Sequence, residues 1–347
     1  MIVLDHPGVC LSADIDPASP SLPAPVGPIS EFTNGAIRDP RRSPGVEEIV
    51  VLDVHDASTD LDFQRALYCI HELHFRGFAD AHPDAEWHPN VVGWWHHLAE
   101  RFEESLVAAV PLPSVHGSGG DAVAAAIEEF DGPSLSGYVL EHADAEILRE
   151  FAIHRSAYQL KEADPHTFAL PRFSGAAKAA FVEIQMDEYG EGVPGRAHAE
   201  LFATSMRSLG LDATYGHYLP RLPATTLATV NLITHLSLHR RLLPALLGHL
   251  ALFEMTSVSP MGRYAQAMRR IGAPDEACEF YDVHVVADEH HGPLARTGLV
   301  DAYLDEHPGD ADLAVWGALA TMHVEGRFAD HLIGAWSAGA SSLLDET

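Results

Sequence analysis

Three successive helical segments of this chain end their apolar stripe on a glutamate, and this pattern restricts the fold more than any other feature. In DAEILREFAIHRSAYQLKE, Leu148, Phe151 and Tyr158 line one face, and Glu162 falls within about 40° of them at 100° per residue. From Gly175 to Tyr189 the stripe is Ala177, Phe181 and Ile184, and Glu188 closes it. In the most hydrophobic stretch, Pro223 to Ser257, Leu243, Leu247 and Leu250 share a face with Glu254. A carboxylate continuing a core-facing stripe is costly to bury unless it is paired or bound to a cation. Arg155 shares the face of Glu162, but two helical turns put about 10 Å of rise between them, long for a direct pair. Arg240 lies more than three turns from Glu254.

The segment FYDVHVVADEHHGP, Phe280 to Pro293, adds an H-x3-D-x2-H spacing. On a helix Asp288 lies about 40° to one side of His284 and His291 about 20° to the other, so all three leave one narrow face. No Lys or Arg occurs in the segment. Upstream, the break EYGEGVPG brings Glu188 and His198 to facing helix ends around a single turn. Singly, each of these residues has an ordinary explanation: a solvated face, an ion pair, an inert helix-start histidine. Together Glu162, Glu188, His198, Glu254, His284, Asp288 and His291 are four carboxylates and three imidazoles. Converging them without metal requires several carboxylates to be protonated or paired. Mixed oxygen and nitrogen donors in a helical core suit Fe(II) or Mn(II), and the absence of cysteine argues against structural zinc. The ferritin-like pattern demands Glu-x-x-His on two helices, and no E-x-x-H occurs here.

Charge narrows the partners. A net charge of -29, from 50 acidic and 21 basic residues, disfavours nucleic acid and anionic membrane surfaces. Three cysteines with no CxxC fit a reducing compartment better than a disulfide framework. The opening MIVLDHPGVC has no basic region followed by an apolar run, and the Leu242–Phe253 stretch is too short to span a bilayer, so a soluble, cytoplasmic protein is expected.

Taken in order, residues 1–45 are rich in Pro, Ser and Gly without a sustained period, which predicts an irregular or flexible arm. Residues 46–140 carry helical patterns and are expected to form a helical extension packed on the core. His71, His74, His96 and His97 in this stretch show no ligand spacing and are expected to pack near the tryptophans. After the loop Pro111–Gly120, Asp121 is the expected cap of the next helix. Residues 141–340 form the main helical domain. Within it Asp164-Pro165 should end the Glu162 helix, Pro244 should kink a long helix, and Gly292-Pro293 should stop or bend the last ligand-bearing one. No strand-borne glycine loop, nucleophile elbow or repeat is evident. The fold class is all-α.

The order LKEADPH, EYGEG with a histidine ten residues after its first Glu, FE, and H-x3-D-x2-H resembles the heme-oxygenase-like diiron oxidases and oxygenases, often labelled iron-containing redox enzymes. The resemblance runs from about Tyr158 to Pro293. It implies a heme-oxygenase-like bundle of about seven core helices, often dimeric, with extra helices at the N-terminus. It implies two iron ions (Fe2+/Fe3+) held by the seven residues, O2 as co-substrate activated as a peroxo-diiron(III) species, an external electron donor and no heme. No catalytic side chain beyond the ligands is implied. The extra carboxylate at Glu162 is similar to the arrangement in the N-oxygenases, which turn a small amine into a hydroxylamine or nitro compound in specialised metabolism such as antibiotic biosynthesis. Two alternatives stay open: a diiron oxidase acting on carbon in an amino acid or fatty acid, and a metal-free binding protein or hydrolase on the same scaffold.

Overall fold

The computed structural model describes residues 19–41 and 54–345, and among them there is no strand. The helices are α1 (Pro28–Arg38), α2 (Leu61–Glu72), α3 (Pro89–Ala109), α4 (Gly119–Glu129), α5 (Leu135–His142), α6 (Ala145–Gln159) and α7 (Asp164–Thr167). They continue as α8 (Gly175–Glu188), α9 (His198–Ser208), α10 (Ala224–Leu238), α11 (Leu243–Thr256), α12 (Val258–Arg270) and α13 (Asp275–Pro293). A π-helical stretch, Leu294–Asp301, joins α13 to α14 (Ala302–Glu306), and α15 (Ala311–Ser337) closes the bundle. This is the all-α bundle the sequence leads one to expect.

The bundle is built on α11, which packs along α15 and against α13. Two glycines permit this close crossing. A Cβ on Gly248 would lie 1.8 Å from the Ala314 carbonyl oxygen, and one on Gly317 would lie 2.0 Å from that of Ala245. Backbone therefore meets backbone where α11 crosses α15. On the other side α12 and α9 flank α13, so its face of His284, Asp288 and His291 turns into the bundle. The N-terminal helices share this core: α2 lies on α10, and Phe63 and Phe102 belong to the same buried cluster as Leu232 and Leu236. Among the described residues no single helix is long and apolar enough to cross a membrane.

Several local expectations are corrected. Part of the stretch read as an irregular arm is a helix, α1, with irregular chain at 19–27 and 39–41 on either side; residues 1–18 and 42–45 lie outside the described residues. The buried face of α1 mixes Ser30, Thr33 and Asn34 with Ala36 and Ile37, and its apolar period, Ile29, Phe32, Ala36 and Ile37, is short and flanked by proline-rich sequence. Its cap is also remote in sequence: Ile29 and Ser30 donate their N–H groups to Asp62 at 2.8 and 2.7 Å. Ser118, not Asp121, caps α4, its hydroxyl accepting from the Asp121 N–H at 3.1 Å.

Prolines are the other source of error. The Glu162 helix stops at Gln159, and Pro165 instead sits in the first turn of α7, where its missing N–H costs nothing. Pro244 likewise opens α11 after a break at His239 rather than kinking one long helix. At Pro293, by contrast, α13 ends as expected, and the chain passes into π-helical turns, which accommodate the missing donor and the ring. His71 and His74 do pack near tryptophan, with ring centroids 6.0 and 5.1 Å from Trp95.

Candidate metal centre

The seven residues singled out in the sequence come together. Glu162, Glu188, His198 and His284 form one group and Glu254, Asp288 and His291 a second, each with its donor atoms within 4.8 Å of one another. All seven residues are 9% exposed or less.

Local structure explains each placement. Glu162 stands in the turn after α6, where the Lys161 N–H donates to the Tyr158 carbonyl at 2.8 Å and Ala163 adopts a left-handed φ of 71°. A non-glycine residue in that region is strained, and such strain concentrates where a side chain must be aimed. Glu188 is the last residue of α8 and His198 the first of α9. The glycine-rich link between them needs Gly190: its φ is 61°, and a Cβ there would lie 2.3 Å from the Arg196 backbone. The link holds His198 Nδ1 3.0 Å from Glu188 Oε2. Glu254 comes from α11, and His284, Asp288 and His291 from successive turns of α13.

Hydrogen bonds to oxygen acceptors fix two imidazole tautomers. His284 Nδ1–H donates to the Phe280 carbonyl at 2.7 Å, leaving Nε2 to face Glu162 Oε1 at 3.7 Å. His291 Nε2–H donates to Asp187 Oδ2 at 2.8 Å, leaving Nδ1 3.2 Å from Glu254 Oε2 and 3.5 Å from Asp288 Oδ1. The Ser257 hydroxyl donates to Asp288 Oδ2. The His198 and His284 rings lie 4.3 Å apart, centroid to centroid.

Glu162 Oε2 is buried without a hydrogen bond, and Glu254 Oε2 and His291 Nδ1, 3.2 Å apart, are buried with no well-formed one. Buried polar atoms are nearly always satisfied, so three such atoms in one small space call for a ligand that accepts electron pairs. No lysine or arginine supplies that role. Arg155, the competing partner for Glu162, is held by Glu325 through two contacts of 3.1 and 2.8 Å. Lys161 is held by Glu72.

The electrostatics carry the same message. Burial, then the charges of Glu188, Asp288 and Glu254, pushes Glu162 well above the usual carboxylate range. Burial pushes Glu254 up to about 8. Burial would raise Glu188 too, but His198, with His284 and His291, draws it down to about 2. His291 resists the lowering effect of burial and is held at about 11 by Asp288, Glu254 and Asp187. Burial and the neighbouring His198 push His284 down. Metal ions would let all four carboxylates ionise and all three imidazoles stay neutral. The donor set, oxygen and nitrogen without sulfur, fits iron or manganese.

A space of about 60 Å³ lies between the groups, bounded by Tyr158, Glu162, Glu188, Glu254, His284 and Asp288. It adjoins a larger cavity of about 350 Å³ that shares Tyr158, Glu162, Phe253, Ser257 and Met261 with it. Glu162 thus stands at the boundary between the two. Phe151, Ile233 and Leu252 give the larger cavity an apolar wall, and Arg155, Glu325 and Arg263 give it charge. Of the other arginines weighed from sequence, Arg172 donates to the last carbonyls of α10 and Arg240 is exposed. Sequence reasoning passed over Asp187 and Ser257. Asp187 neighbours Glu188 but leaves α8 on its wetter side, where period alone says solvent. Ser257 has no signal at all, because its role comes from the packing of α11 on α13.

A helical bundle that buries two such groups around a shared space defines a metal-dependent redox scaffold. The chain belongs to the iron-containing redox enzyme family, whose model matches residues 149–326 and so covers all seven residues. It is therefore an oxidoreductase of an iron-containing class. It is also similar to a nitrosourea synthase from Streptomyces achromogenes subsp. streptozoticus, at 25% identity over 148 residues. That stretch is 43% of this chain and 31% of the relative, so the match spans about a third of the curated protein's length.

Proposed function

We propose that the protein is an O2-dependent non-heme diiron oxygenase that oxidises the nitrogen of a small amine. The observation that carries this reading is the division of the seven residues into groups of four and three around one space. One iron would be held by Glu162, Glu188, His198 and His284, and the other by Glu254, Asp288 and His291. When bound, the irons would supply the reduction of O2 and the transfer of one oxygen atom. The overall conversion balances as R–NH2 + O2 + 2 e⁻ + 2 H⁺ giving R–NHOH + H2O, with the electrons from an external donor.

The chain's own residues do the rest. Asp187 keeps the His291 proton on Nε2, so that Nδ1 presents its lone pair inward. The Phe280 carbonyl does the same for His284 Nε2. Ser257 fixes one oxygen of Asp288. Tyr158, Phe253 and Met261 line the passage between the two spaces and keep it largely apolar. Glu162 meets the substrate cavity directly, and an added anionic ligand makes a bound oxidant less electrophilic toward C–H bonds, which favours an amine lone pair as the target. The similarity to a nitrosourea synthase supports nitrogen-centred chemistry.

The apolar wall of Phe151, Ile233 and Leu252 favours one second reading, oxidation of carbon in an aliphatic substrate. Anaerobic Fe(II) loading, then O2 with a panel of amines and fatty acids, separates the two by mass spectrometry. An amine product heavier by one oxygen is expected. Desaturated or shortened products would instead select the carbon reading, and no O2 consumption with any substrate would overturn both.

A further inference from the structure

The larger cavity contains one cation with no carboxylate. Arg263, on α12, reaches only the hydroxyls of Ser134 and Ser136, at 3.4 and 3.2 Å, and among the described residues no Asp or Glu pairs with it. Arg65 and Arg172 also lack a carboxylate but donate to backbone carbonyls, whereas Arg263, half-buried, has only the two hydroxyls. The cavity's other arginine, Arg155, is fully engaged by Glu325.

The opposite end of the cavity has the complementary character. Gln159 is buried, lines the cavity, and its Oε1 has no hydrogen-bond partner. Glu162 stands next to it, also with an unpartnered oxygen. That end offers acceptors to N–H groups. Ser257 marks the same end, because it touches Asp288. Six residues separate Ser257 from Arg263, a rise of about 9 Å along α12.

On the diiron reading, and deepening it, we propose that Arg263 with Ser134 and Ser136 is the anchoring site for a substrate carboxylate. The substrate is then a small aminocarboxylate, its amine directed to Gln159 and Glu162 and its acid group held several bonds away. A guanidinium flanked by two hydroxyl donors matches the planar, two-oxygen acceptor of a carboxylate. A cavity of about 350 Å³ is at the small end of ligand sites, which suits a metabolite rather than a lipid. The apolar wall between the two ends packs the connecting methylenes.

The test is binding, read as a ligand-dependent rise in the unfolding temperature of the full-length protein under anaerobic conditions. The probes are ω-aminocarboxylates of three to eight carbons and n-alkylamines of the same lengths. At least one aminocarboxylate should bind at least tenfold more tightly than its alkylamine counterpart. Arg263→Gln should abolish that preference, and Arg263→Lys should keep part of it; unchanged circular dichroism and unfolding without ligand would show both variants folded. Alkylamines binding as well as aminocarboxylates, wild-type binding in Arg263→Gln, or no aminocarboxylate binding at all would each overturn the proposal. The same titration in His284→Ala separates it from the iron reading: Arg263-dependent binding there stands even if metal analysis rules out the diiron site.

Discussion

Lys161 and Glu72 meet at 2.7 Å with both side chains 1% exposed, so a charge pair sealed inside the bundle ties α2 to the residue just before Glu162. Tyr215 donates its hydroxyl to the other Glu72 oxygen at 2.7 Å. The Lys161 ammonium also lies 4.1 Å from the centre of the Phe75 ring. The N-terminal helices are in this way mechanically joined to the strained turn that aims Glu162. Removing one member of a buried pair strands the other, at a cost of about 3–5 kcal/mol. Lys161→Met should therefore lose about that much in denaturant unfolding, and the Glu72→Gln/Lys161→Met double variant should recover a large part of it. A single variant within about 1 kcal/mol of wild type would show that the pair carries no such role.

The second prediction concerns metal. Anaerobic reconstitution should load about two Fe(II) per chain, and His284→Ala should lose at least one. Asp187→Ala should keep the fold but free His291 to rotate and change tautomer, weakening iron binding about 10–100-fold. Metal analysis after dialysis against graded chelator reads both effects. Iron retention by Asp187→Ala equal to wild type would mean that its bond to His291 is incidental.

Stability should fall with acid through a group remote from the site. His154 is buried, with Nδ1 2.7 Å from the Thr226 hydroxyl and Nε2 2.9 Å from that of Ser342. Burial first, and then the nearby His331, Arg155 and Arg221, outweigh Glu150 and lower it from 6.5 to about 3. Between those values the unfolded chain binds a proton that the folded chain refuses. The stability owed to neutral His154 is thus complete above pH 6.5 and is lost as pH falls toward 3, by at most about 1.4 kcal/mol per pH unit. Urea unfolding at pH 7 and 5 should show a steeper loss in wild type than in His154→Gln. Parallel slopes would remove His154 from the acid response.

How much of this was legible in the sequence depended on range. The elements that bring the seven residues together could be read because their signals are local: a stripe closed by Glu188 or Glu254, and three side chains on one face of α13. Glu162 was found by a partly mistaken route, since α6 ends at Gln159 and the residue stands in a turn, not on the helix. The stripe still pointed inward because the turn continues the helix's direction for a few residues. What stayed hidden is set by contacts distant in sequence. Asp62 caps α1 from 32 residues away, Glu325 takes Arg155 across 170, and Asp187 meets His291 across 104. Prolines misled because their meaning depends on which side of a helix boundary they fall, and a helix-compatible run on both sides does not show where that boundary is.

The last prediction follows from how α13 is held. Its first half is anchored by packing, with Ala277, Cys278, Phe280 and Tyr281 buried against α9 and α12. Its second half presents His284, Asp288 and His291 inward, polar groups with little apolar area to hold them, and then passes into π-helical turns. Holding that half in place depends on what satisfies the three side chains. A metal that binds only the ordered state, at a hundredfold over its Kd, stabilises it by about 2.7 kcal/mol. Hydrogen exchange should therefore slow about a hundredfold on Fe(II) addition at the backbone amides of residues 284–292, with little change over residues 276–283. Equal protection with and without Fe(II) would mean that packing alone orders the helix. In that case the face of His284, Asp288 and His291 is preformed, and the three residues are kept in place by Asp187, Ser257 and the packing of α11 instead of by metal.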